Sequence, residues 1–345
     1  MNVILSPRLI FFTVIAACAL PSLALAQDSS KLTTLTVEQA REVMAKKPGI
    51  VGSADGSFAN FDALTTLTPE VAEVLVKHEG ALSLNGLTEI SPETAAALAK
   101  HPTLKQFGYA DLRLNGLQTI SLKAAEALAA HQGKVLLYSL EKLDSIPLAQ
   151  KLARQWGELR LGISELSPPI AAELAKHRGT DADKTRPGVI LRRQDGAASV
   201  LRIDNLSSLS PETADALAAH EGVLVLNDLT SLPHAVAVSL AKRTGNSNAV
   251  RSNGSSLTAK RTGTLVLNGL ETLSTESADA LAAFTGELVL NAIAELPPAT
   301  AAALAQHKGR LHLTGLTKIS TETHTALQRH ANLLLPRPLP LTAGK

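Results

Sequence analysis

A pattern that returns every 22 to 24 residues runs through this chain. The stretches Leu82–His101 and Leu265–Phe284 share it: Leu-x-Leu-Asn-Gly-Leu, an aliphatic residue (Ile90, Leu273), a serine (Ser91, Ser274), a glutamate (Glu93, Glu276) and an apolar run. The first apolar position of each copy is Ala59, Leu82, Leu112, Val135, Leu159, Leu201, Leu224, Leu265, Leu288 and Leu311, with an eleventh start at Leu333. The spacings are 23, 30, 23, 24, 42, 23, 41, 23, 23 and 22, so the three long ones are one repeat plus an insertion. A unit this short cannot bury its own apolar face and must stack on its neighbours. Length alone, 345 residues, would suggest two or three domains; the period overrides that count.

Each unit has two halves. Leu-x-Leu alternates as a short strand does, with both leucines on one face. A turn follows at Asn85-Gly86, Asn115-Gly116, Asn227-Asp228, Asn268-Gly269 and Asn291-Ala292. The second half is a short helix. Ser91, Ser121, Ser167, Ser210, Ser274 and Ser320, with Thr36 and Thr68, stand where an N-cap belongs. Pro69, Pro92, Pro168 and Pro211 take the first helical position, where a missing N–H costs nothing. Glu38, Glu70, Glu93, Glu212, Glu276 and Glu322 follow near the positive end of the helix dipole. Gly80, Gly133, Gly179, Gly222, Gly245, Gly286 and Gly309 are expected to stop the helices. Stacking such units predicts an α/β solenoid of about ten repeats of 23 residues, one parallel sheet on one face and helices on the other.

Leu-x-Leu-x-x-Leu-x-x-Leu at this period resembles the leucine-rich repeat, in a bacterial variant, over about residues 32–335. The resemblance implies a concave strand face that commonly binds the partner. One departure is that the usual inward asparagine is replaced by leucine (Leu87, Leu117, Leu206, Leu270, Leu316). Two alternatives follow: Asn85 and its equivalents supply the backbone-pairing ladder, or the ladder is absent. Curvature stays open between them.

Residues 1–26 read as a secretory signal peptide, with an apolar run from Leu9 to Leu20 and a small-x-small site at Ala24-Leu25-Ala26. The run is too short to span a bilayer. Ile15-Ala16-Ala17-Cys18 resembles a bacterial lipobox and supports an alternative in which Cys18 is lipid-anchored and the solenoid is a structural spacer of the envelope. The expected location is periplasmic or extracellular. Cys18 is the sole cysteine, so the exported chain is expected to hold no disulfide or thiolate metal site. Residues 27–49 read as an N-terminal capping helix, 50–335 as the solenoid, and 336–345 as a Pro-rich tail. Insertions near 50–58, 103–111, 180–198 and 246–263 fall between a helix stop and the next strand, on one rim.

Chemistry is sparse. No catalytic or phosphate-binding motif is present, and a formal net charge of +2 with 3% aromatic residues argues against nucleic acid. The expectation is a non-enzyme without cofactor. Seven of ten histidines share one repeat position: His78, His101, His131, His177, His220, His307 and His330. A metal or pH-sensing rail is one reading. The other is a half-buried structural position at helix C-termini, favoured because Gln155, Arg243 and Phe284 occupy it in other units. The candidate partner-binding residues are the outward x of each strand: Arg113, Leu136, Arg160, Arg202, Val225, Val266, Val289 and His312. Three arginines that gain nothing for folding, beside a valine strip, predict a protein or envelope partner that is part acidic and part apolar.

Overall fold

The computed structural model describes residues 32–45, 58–102, 111–179, 199–243 and 263–338. The expected signal peptide, Cys18, most of each insertion and the end of the tail lie outside the described residues.

The fold is a leucine-rich-repeat-like α/β solenoid. A helix α1 (Val37–Ala45) precedes the first strand and packs Ala40 and Val43 into the core. Strands β1 (Phe58–Asn60), β2 (Ala81–Ser83), β3 (Leu112–Arg113) and β4 (Val135–Leu136) alternate with α2 (Pro69–Leu75), α3 (Pro92–Ala99) and α4 (Leu122–Ala129). Next come α5 (Ile146–Ala153), β5 (Leu159–Leu161), α6 (Pro168–Leu174), β6 (Val200–Ile203) and α7 (Pro211–Ala218). Then follow β7 (Val223–Val225), α8 (His234–Ala241), β8 (Thr264–Val266) and α9 (Thr275–Ala282). The series closes with β9 (Glu287–Val289), α10 (Pro298–Leu304), β10 (Leu311–His312), α11 (Thr321–Leu327) and β11 (Leu333–Leu334).

All pairing is parallel and in register, first leucine beside first leucine. The single sheet expected from the sequence is divided in two. β1 to β4 form one sheet and β5 to β11 another, and β4 does not pair with β5. The two inward strand residues and the helix leucine are buried in all units but the last, fully so at Leu82, Leu84 and Leu98. Leu333 and Leu335 of the last strand are half-buried. They fill one continuous core between strands and helices.

The helix starts follow local chemistry. Thr68, Ser91, Ser121, Ser145, Ser210, Ser274 and Ser320 each accept the N–H three residues on. Thr36 and Gln39 form a reciprocal capping box. Ser167 holds the cap position without a side-chain cap bond, so its expected contribution is absent. The helix stops differ from expectation. The helices end on right-handed C-caps, and only Gly157 and Gly179 among the described glycines have positive φ. The glycine is needed instead for contact between repeats: a Cβ on Gly309 would lie 1.7 Å from the Gly286 carbonyl oxygen.

Polar side chains bond several units to the one before. The Asp62 carboxylate accepts the Asn85 N–H (2.9 Å), Asn85 the Asn115 N–H (3.0 Å), and Asn115 the Tyr138 N–H (3.3 Å). Asn268 and Asn291 do the same further on. The ladder therefore exists in two stretches, Asp62 to Tyr138 and Asn268 to Thr314, supplied by Asn85 and its equivalents. Asn227 Oδ1, by contrast, is buried without a partner. A second ladder sits at the third helical residue. Thr94, Thr213, Ser277 and Thr323 donate to carbonyls of Leu67, Leu166, Leu232 and Leu296 in the preceding unit.

Candidate functional site

The in-register strands line up the outward residues of the open face. Asn60, Ser83, Arg113 and Leu136 form one row across the first sheet. Arg160, Arg202, Val225, Val266, Val289, His312 and Leu334 form a second row across the other. The eight candidate residues thus divide: Arg113 and Leu136 lie on one sheet, the remaining six on the other.

The arginines are not the unpartnered cations that the sequence suggested. Arg160 Nε donates to Asp204 at 2.7 Å and Arg202 Nε to Glu158 at 2.8 Å, crossing diagonally between β5 and β6. The Arg160 pKa is raised by its hydrogen bond to Asp204 and by that carboxylate's charge. Both pairs are partly exposed to solvent, so each stabilises by about 0–1 kcal/mol. Arg113 reaches across the small outward residues of β2 to stand 4.8 Å from the Phe58 ring centroid. The expectation that these arginines gain nothing for folding is corrected on these contacts.

The valine strip is shorter than expected. Val225 is buried, with 4% exposure, while Val266 and Val289 remain half-exposed. Beyond them His312 Nε2 meets Glu287 at 2.7 Å, and Thr264 donates to the same carboxylate at 3.2 Å. Burial works against the Glu287 charge, but hydrogen bonds from His312 and Thr264 and the positive charge of Arg310 outweigh it and lower its pKa.

Sequence reasoning passed over Lys134, Tyr138, Trp156, Glu158, Asp204 and Glu287. Lys134 stands 4.5 Å from the Trp156 ring and Arg160 5.6 Å from the Tyr138 ring. Burial lowers the Lys134 pKa and raises that of Tyr138. For all of these but Trp156 the signal is alternation, because a side chain two positions before or after the x residue shares its face.

The histidine row is built into the stack. His101, His131, His177, His220, His307 and His330 are buried rather than half-buried. Neighbouring rings lie 5.9 Å apart for His101–His131, 6.3 Å for His177–His220 and 5.8 Å for His307–His330. Four of them reach back toward the preceding unit: His131 to the Ala99 carbonyl (3.4 Å), His177 to that of Gly157 (2.9 Å), His220 to that of Ala175 (3.3 Å) and His307 to that of Gly286 (3.0 Å). Arg243 extends the series, donating to the Gly222 carbonyl at 2.8 Å. Burial, above all, holds His101, His131 and His220 near pKa 4. No group of three His, Cys, Asp or Glu side chains among the described residues is arranged to hold a metal ion. At His131, His177, His220 and His307 the row bonds one repeat to the next, which is its structural reading.

Among solved structures, the chain is similar to a leucine-rich-repeat protein of Leptospira interrogans, at 15% identity over 83% of this chain and 67% of that one, with a TM-score of 0.33. No family model and no curated protein matches it. The register and ladders of the chain itself carry the fold assignment. No helix among the described residues is long and apolar enough to cross a membrane.

Proposed function

We propose that this chain is a non-catalytic, exported binding solenoid that holds a protein partner of the bacterial cell envelope across the open strand face. The observation behind this reading is the aligned row from Arg160 to His312, where half-exposed valines lie between two groups of charged pairs. The opposite face of the sheet is sealed by the helices, so recognition falls to the open one. The partner expected from the sequence is part acidic and part apolar. With Arg160 and Arg202 paired to Asp204 and Glu158, the row presents both signs of charge beside the valines. A segment with an apolar centre flanked by charges of both signs suits the row better.

A photo-crosslinking residue at Val266, compared with one at Glu126 on the helix side, tests this in cells. Crosslinks concentrated at Val266 are expected; equal capture at both positions would remove the open face as the site. Replacing Arg113, Arg160 and Arg202 with Ser should weaken partner binding in a salt-dependent way, while costing stability no more than about 1 kcal/mol per lost ion pair. Export is read from residues 1–26, with Cys18 lipidation as the alternative. Mass spectrometry of the mature N-terminus separates Gln27 from acylated Cys18.

A further inference from the structure

We infer that the seam between β4 and β5 is a joint, at which the solenoid opens on its strand face while staying closed on its helix face. Among the described strands, pairing between neighbouring repeats lapses only here. Both side-chain ladders are missing at the same junction, although each is also missing at some others. The two strands do not pair. The asparagine ladder runs from Asp62 through Asn115 to the Tyr138 N–H, but the next rungs are Tyr138 and Gly162, neither of which has a carboxamide. At the third helical position Ile170 stands where Thr94 and Thr213 donate to the preceding unit.

What crosses the seam on the open face is of another kind. Lys134, at the foot of β4, lies over Trp156, and Arg160 on β5 lies over Tyr138. A cation over a ring keeps its attraction through displacements of several tenths of an ångström. An N–H···O bond loses alignment and strength over the same range. The strand side therefore has contacts that tolerate movement where its neighbours have contacts that do not.

The helix side is fastened. His177, just beyond α6, puts Nδ1 at 3.2 Å from the carbonyl of Ala153, the last residue of α5, and Nε2 at 2.9 Å from that of Gly157 in the connection that follows. Near the turns, the Ser164 N–H donates to the Glu141 carbonyl at 2.9 Å. The neighbouring helices α5 and α6 pack directly. With closure on that side and tolerance on the other, His177 is a positioning residue for the pivot.

Hydrogen exchange on the full chain tests the joint. Amides of β4 and β5 should exchange about tenfold faster than those of β2 and β8, which are paired on both sides. Tyr138→Asn supplies a side-chain oxygen for the Gly162 N–H, as Asn115 does for Tyr138, and should slow exchange across the seam while leaving β8 unchanged. His177→Ala should speed it, again without effect at β8. Equal protection of β4, β5, β2 and β8 in the unmodified chain would overturn the inference. So would a Tyr138→Asn variant that folds and exchanges at the seam as the unmodified chain does.

Discussion

Gly116 sets how near one repeat lies to the next. A Cβ built on it would stand 1.9 Å from the Asn85 carbonyl oxygen, a distance that no rotamer change relieves because both partners are backbone. Gly116→Ala must push two units apart, and a cost of about 1–3 kcal/mol is expected, read as a lowered urea midpoint. The equivalent position 292 already carries alanine, so Ala292→Gly should cost only about 0.5–1 kcal/mol of backbone entropy. The Asn-Gly pair was visible in the sequence as a turn. Its second role was not, because close approach of backbone depends on the neighbouring unit. The same holds for Arg160 and Arg202: their position on the open face was legible, whereas Asp204 and Glu158 become partners only through the diagonal geometry of adjacent strands.

At the scale of the element, the histidine row makes the stack acid-sensitive. Unfolded histidine titrates near 6.5, while burial holds His101, His131 and His220 near 4 in the fold. Above pH 6.5 both states are neutral and stability is full. As pH falls from 6.5 toward 4, the unfolded chain takes up protons that the folded one refuses, so stability is lost across that window. The loss approaches ~3 kcal/mol for each of the three below pH 4. Cations lie near the row, Lys151 by His131 and Arg243 by His220, and lower those pKa values further, as do His78 beside His101 and His177 beside His220. Urea titrations at pH 7 and pH 5 should show the drop, and His220→Gln should reduce its slope by one proton. A drop that begins only below pH 4 would assign the effect to carboxylates instead. The strands and helices themselves were legible, since Leu-x-Leu and Ser-Pro-x-x are local signals. The division of the sheet was not: Val135-Leu136-Leu137 reads as a strand like any other, and pairing depends on what β5 offers it.

Over the whole molecule, the side-chain ladders and the strand pairing described above join neighbouring units. Such a stack behaves as a row of units coupled to their immediate neighbours. Its long-range order is a sum of short-range agreements, which is why the period alone was enough to name the architecture. Under tension applied to the two ends, a structure of this kind surrenders length in instalments. A 23-residue repeat returns roughly 80 Å of extended chain when it detaches. The spacings of 41 and 42 residues between strand starts would return roughly 140 Å. The order of short and long steps in a force trace would therefore report which end of the coil peels first.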